Sequence, residues 1–238
     1  MKFGVTTIPN VPWDELVRRW REIDALRALE TLWIPDHLFK GWYECWQTLA
    51  GAACITSRVR LGPLVSPLTS HEAARLARAA TTLDGASSGR LELGVGSGDE
   101  SHEFESWADE LVQSIGEIPL TVGGAGPTAL RVAAKHAYRW NYSPGRDDAR
   151  DEARARGREL NARLDELAGR PILRSALVAY PFTGEDATPF DELVGAWTEA
   201  GFEELIVDFP GPLADAVPRG VAPTASNAPP WRGRRSAR

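Results

Sequence analysis

The sequence predicts an α/β protein and, within that class, a (β/α)8 TIM-type barrel. Short β-forming runs alternate with segments of helical period from Lys2 to Phe209, and the strand runs number eight. Most of the intervening segments are long enough for the right-handed crossovers that parallel strands require. The chain has 238 residues, 43% of them hydrophobic, which is enough for one sizeable core. A flavodoxin-like or Rossmann sheet is the runner-up, and it would need fewer strands.

Lys2 to Ile8 is a β-rich run closed by Pro9. Pro12 to Arg27 carries Trp13, Leu16, Val17, Trp20, Ile23 and Leu26 at helical spacing, with Asp14 and Glu15 in the first turn where the helix dipole favours them. Thr31 to Ile34 is a strand that stops at Pro35-Asp36-His37, and Tyr43 to Thr56 is an apolar, buried helix. Val59 to Ser66 is the next strand, followed by a helix over Glu72 to Leu83 with Ala74, Leu76, Ala77, Ala80 and Leu83 inward. After the Ala86–Gly89 turn, a strand begins at Arg90, with Leu91, Leu93 and Val95 on one face; it ends in Gly96-Ser97-Gly98-Asp99. Only Asp99 to Ile118 remains for the next crossover, little above the minimum. Strands at Pro119–Val122, Arg139–Tyr142, Ile172–Tyr180 and Glu204–Phe209 then alternate with helices at Thr128–Ala137, Asp147–Leu167 and Pro189–Ala200. The helix at Asp147–Leu167 is charged on most faces and predicted to face solvent; the one at Pro189–Ala200 is capped by Gly201. Residues 1–210 are thus one barrel domain. Residues 211–238, rich in Pro, Ala, Ser and Arg, form a tail expected to be disordered, with no apolar period for an eighth outer helix.

The net charge of −6 provides no basic field for nucleic acid, and no apolar run approaches the roughly 20 residues that span a bilayer. Cys45 and Cys54, nine positions apart in one predicted helix, suit neither a disulfide framework nor a metal site. Both are expected to be packing residues in a reducing, cytoplasmic compartment.

In a barrel of this kind, chemistry sits at the C-terminal strand ends. There the sequence places Asp36 and His37, then Val65 and Ser66, then Ser97, Asp99 and His102, then Gly123 and Gly124 running into a helix, then Asn141, Tyr142 and Ser143, and finally Asp208. The Gly123–Thr128 turn could cradle a phosphate on freed N–H groups and a helix N-terminus, or be a tight βα turn with no ligand. Asp36-His37 could bond a ligand ring or simply form part of its turn. His71 reads as a cap or surface residue, and His136 as structural. The histidines have no matching carboxylate spacing for a metal, and Gly96-Ser97-Gly98 falls short of the hydrolase GxSxG elbow. GVGSGD is not GxGxxG, and it comes late in the chain for a dinucleotide fold.

TLWIPDHLF, ECWQTLAGAACITSRVRLGPLVSPLT, ARAATTLDGASSGRLELGVGSGDESHEF and PLTVGGAGPTALRVAAKHAYRWN together resemble the luciferase-like monooxygenase family, (β/α)8 barrels that use FMN or the deazaflavin F420. The motifs cover roughly the first 143 residues, and the likeness continues more weakly to Asp208. Pro35-Asp36-His37 and the Gly98-Asp99 loop place it nearer the F420 branch. The resemblance implies that Asp36 and His37 contact the deazaflavin ring, and that a cis peptide at Leu64–Val65 buttresses it. It further implies that Asp99 donates a proton, that Ser97, Gly98 and His102 contact the cofactor, that Gly123 and Gly124 bind phosphate, and that a Ser143 hydroxyl assists. Relatives usually carry several dozen more residues where this chain has Glu100–Glu117, forming a cover over the cofactor. Their Asp-Gly before Trp140-Asn141 is here Tyr138-Arg139.

The expected function is a flavin- or F420-dependent oxidoreductase or monooxygenase acting on a small organic substrate, with F420 the preferred cofactor over FMN, His37 and Asp99 catalytic, and no metal. The alternative is a cofactor-binding or vestigial barrel without turnover, because the cover is missing. A homodimer whose partner covers the gap is a further expectation; nucleic acid and membrane partners are not expected.

Overall fold

A computed structural model describes residues 1–37, 40–98, 103–145, 150–179 and 190–208. The elements run β1 (Lys2–Thr6), α1 (Trp13–Ala25), β2 (Leu29–Ile34), α2 (Cys45–Ile55), β3 (Arg60–Pro63), β4 (Ser66–Pro67), α3 (Ala73–Ala86), β5 (Leu93–Gly96), α4 (Phe104–Ile115), β6 (Leu120–Gly123), α5 (Pro127–His136), β7 (Arg139–Tyr142), α6 (Arg150–Leu167), β8 (Leu173–Ala179), α7 (Phe190–Glu199) and β9 (Glu204–Asp208). All strands pair in parallel in one sheet of order β3-β2-β1-β9-β8-β7-β6-β5-β4.

The predicted barrel is therefore present, as a nearly closed ring. The ninth strand arises because the stave expected at Val59–Ser66 is split. β3 and β4 are its two halves, interrupted at Leu64–Val65, whose peptide bond is cis. The ring closes where Leu61 bridges Leu91 and where Ser66 and Pro67 pair with Val95 and Gly96.

Alternation sorts the staves into two layers. Leu91, Leu93 and Val95 are fully buried in the outer layer beneath the helices, with Leu32 and Ile34 of β2 and with Leu16, Trp20 and Ile23 of α1. Inward positions fill the lumen. Its lower end is charged: Arg139 of β7 is buried between Glu92 and Glu204, donating from Nε to Glu92 Oε1 at 2.5 Å and from Nη1 to Glu204 Oε2. Thr121 donates to Glu92 at 2.5 Å and Thr31 to Glu204 at 2.7 Å. Burial raises the Glu92 carboxyl pKa, but the Arg139 charge and hydrogen bonds, helped by Arg60, outweigh it and hold Glu92 below the ordinary value. Burial likewise works against the Arg139 charge, yet Glu204 and Glu92 raise its pKa overall. Above this network Trp33, Leu64 and Ile206 form an apolar plug, with Val65 and Leu177 against it.

Several expectations need correcting. The inward alanine of α3 is Ala73, not Ala74, because the buried series runs Ala73, Leu76, Ala77, Ala80, Leu83. Cys45 is buried with its thiol pKa pushed well up by burial, but Cys54 is exposed and is not a packing residue. α6 is not exposed on all sides, since Ala153, Leu160 and Leu164 join the core. The short crossover after β5 holds a helix, α4, amphipathic enough to bury Phe104, Ala108, Leu111 and Ile115. The tail at 211–238 and the place of an eighth outer helix lie outside the described residues.

Candidate active site

The C-terminal strand ends enclose an open cleft of about 550 Å³. Its floor is the Leu64–Val65 bulge between β3 and β4. Neighbouring staves yield to that bulge by lacking side chains. A Cβ at Gly94 would lie 2.0 Å from Pro63 O, one at Gly96 2.7 Å from Val65 Cγ2, and one at Gly123 2.9 Å from Val65 Cγ1. Glycine at these three positions is what lets the bulge sit across the barrel mouth. Leu177 of β8 extends the apolar floor.

Polar groups stand around it. Asp36, at the end of β2, is buried, and its Oδ2 accepts from Ser66 Oγ at 2.6 Å and faces His71 Nε2 at 2.7 Å. His37 is exposed on the rim, its ring edge-on to Trp42 at 5.4 Å. Glu44 caps α2 beyond that loop by accepting from the N–H groups of Trp46 and Gln47 at 3.0 and 2.7 Å, which fixes where the loop rejoins the barrel. Ser97 Oγ donates to Gly98 O at 3.2 Å. On the far side Asn141 Oδ1 accepts from Ser175 Oγ at 2.9 Å, leaving the amide NH2 as its donor end. Ser143 is exposed at the same edge.

The remaining wall is the turn from β6 into α5. Gly124 has φ +127°, a conformation that side chains rarely adopt. Trp140 Nε1 donates to Gly124 O at 2.8 Å, locking the turn onto β7. Pro127 opens α5, and the first-turn N–H groups that follow have no intrahelical acceptor, so this wall can take an anion.

Of the residues singled out in the sequence, Asp36, His37, Leu64, Val65, Ser97, Gly98, Gly123, Gly124 and Ser143 all line this one cleft. Asp99 and His102 lie outside the described residues. Pro67, Thr69 and Ser70, in the turn after β4, line the cleft too, and no sequence pattern marked them. His71, expected to be a cap or surface residue, is instead bonded to Asp36. Its only mark in the sequence is its place two residues before α3, which does not say where the ring turns. His136 is bonded to Asp109 of α4 at 2.5 Å, away from the cleft. Among the described residues no group of three or more His, Cys, Asp or Glu is placed to hold a metal ion.

A parallel barrel with an apolar-floored cleft at its strand ends, beside a glycine turn into a helix, is an α/β barrel with one candidate ligand site. The likeness read from the sequence is borne out: residues 1–114 match the family described as luciferase-like monooxygenase. Uncharacterized proteins of Mycobacterium tuberculosis and Mycobacterium bovis are each 26% identical over 222 residues, spanning 76% of this chain and 75% of theirs. The fold is similar to that of the coenzyme F420 dependent tetrahydromethanopterin reductase from Methanopyrus kandleri, with TM-score 0.68 and 16% identity over 88% of this chain and 93% of that one. It is also similar to that of a type II Baeyer-Villiger monooxygenase of Pseudomonas putida in complex with FMN, with TM-score 0.55 and 14% identity over 76% and 67%.

Proposed function

We propose that this chain is an oxidoreductase of the luciferase-like kind that holds F420, or alternatively FMN, in the cleft and acts on a small organic substrate. One observation carries the reading: a flat apolar floor, Leu64–Val65 and Leu177, lies beside an anion-ready turn, Gly123–Gly124, in one cleft of about 550 Å³. A planar tricyclic ring with a phosphate-bearing side chain asks for both in that order. F420 is preferred because Pro35-Asp36-His37 stands at the ring end. Two solved relatives described as F420-dependent, the reductase above and a secondary alcohol dehydrogenase with an F420-acetone adduct, share the fold.

When bound, such a cofactor supplies hydride acceptance and donation. The chain's own groups do the rest. Val65 and Leu64 press on one face of the ring and keep water from it. Asp36 accepts from a ring N–H. His37 donates or polarises from the rim, and the turn that leaves Gly123-Gly124 holds the phosphate through the first-turn N–H groups of α5, the Gly124 N–H itself being bonded to Asn141 O at 3.3 Å. On the resemblance alone, Asp99 is assigned to move the substrate proton and His102 to contact the cofactor. Asn141 and Ser143 offer donors at the opposite edge.

The second reading, binding without turnover, is favoured by the connection from Gly96 to Leu120, where α4 is the one element among the described residues. Titration of the protein with F420 and with FMN, followed by tryptophan fluorescence, tests binding; quenching by one of them is expected, and none by either would sink the proposal. Substrate-dependent oxidation of the reduced cofactor then separates an enzyme from a binding protein.

A further inference from the structure

Asp36 is held by a directional chain of hydrogen bonds that the proposed chemistry has not used. Trp46 Nε1 on α2 donates to Ser66 Oγ at 3.2 Å, and Ser66 Oγ donates to Asp36 Oδ2 at 2.6 Å. His71 Nε2 meets the same oxygen at 2.7 Å; facing a carboxylate, which only accepts, it is the donor. The His71 backbone carbonyl is itself held by Trp107 Nε1 of α4 at 2.9 Å. Two hydrogens, from Ser66 Oγ and His71 Nε2, thus converge on one carboxylate oxygen, with Ser66 braced from α2 and the His71 backbone from α4. His71 is not among the residues lining the cleft, whereas Asp36 is. A histidine placed behind a cleft carboxylate, rather than in the cleft, acts through that carboxylate.

We propose that His71, together with Ser66, is a positioning residue that clamps Asp36 Oδ2 so that the carboxylate presents a fixed acceptor to the N–H edge of a heteroaromatic ring bound in the cleft. This rests on the functional reading above. A freely rotating carboxylate would lose rotamer freedom on binding; a clamped one has already lost it.

The test is a fluorescence titration of F420 and FMN against wild type, His71→Phe, His71→Gln, Asp36→Ala and the double variant His71→Phe/Asp36→Ala, each first shown to melt like wild type. His71→Phe, which removes the donor, is expected to raise Kd about tenfold, the usual worth of one charge-assisted hydrogen bond. His71→Gln, whose amide reaches the Nε2 position, is expected to restore most of the affinity. In the Asp36→Ala background His71→Phe should add nothing. Wild-type affinity in His71→Phe, failure of Gln to rescue, or a cost that persists without Asp36 would each overturn the clamp. Should His71→Phe not fold, Ser66→Ala takes its place, with a smaller loss that also vanishes without Asp36. If wild type binds neither cofactor, the functional reading fails separately. The clamp is then judged on the free protein by the imidazole nitrogen spectrum of His71: an Nε2–H tautomer that changes in Asp36→Ala upholds it, and an Nδ1–H tautomer overturns it.

Discussion

At the scale of single residues, the site depends on what is missing as much as on what is present. Gly94 and Gly96 both make room for the bulge, but against different neighbours. A methyl at Gly94 meets backbone, Pro63 O at 2.0 Å, whereas one at Gly96 meets a side chain, Val65 Cγ2 at 2.7 Å. Gly94→Ala is therefore expected to lower stability by about 1–3 kcal/mol, the cost of overpacking a rigid site. Gly96→Ala is expected to cost less stability but to push Val65 into the cleft and weaken cofactor binding. Urea unfolding of the two variants alongside ligand titration checks the contrast. These glycines were legible because a strand that loses its side chains at alternate positions announces a close approach. His71 was not, because helical period says which face of a helix is buried and nothing about a ring reaching back to a residue 35 positions earlier.

At the scale of elements, β7 shows the same limit. It was read with its correct bounds, Arg139–Tyr142, from a four-residue run, yet Arg139 figured there as a departure from the family pattern. The alternation Leu91-Glu92-Leu93 already marks Glu92 as inward, and Glu204 begins its strand in the same phase. What the sequence cannot show is that staves 47 and 65 positions apart bring those carboxylates to one arginine. A buried charge is tolerable only when paired, so the three residues stand or fall as a unit. Arg139→Met, which strands two carboxylates, should destabilise the fold by about 3–5 kcal/mol. Arg139→Met with Glu92→Gln and Glu204→Gln should recover most of that, as read from denaturant midpoints. Strand and helix existence was otherwise well anticipated; boundaries shifted by up to three residues where caps and bulges decide them, as at the end of α3, the start of β5 and the split stave.

At the scale of the molecule, the barrel class followed from counting alternations, and among the described residues no helix is long and apolar enough to cross a membrane. The buried network also sets how the whole fold responds to acid. The Glu92 pKa in the folded protein lies below its ordinary value of 4.5. Its contribution is therefore present above about pH 4.5 and is lost as pH falls through the lower folded value. Stability should drop on acidification below that point, and the drop should be shallower in a Glu92→Gln variant, as seen in thermal melts across pH. The ring, finally, is not equally fastened all round. β1 and β9 pair along their whole length, whereas the join between the split stave and β5 rests on Ser66–Val95, Pro67–Gly96 and the Leu61–Leu91 bridge. That join is expected to open more easily than the β1–β9 join, which hydrogen exchange along the two edges would check. Because Val65 and Gly96 are also the floor of the cleft, a molecule resting there staples the join shut, and by mass action tight binding and a tight barrel become a single equilibrium.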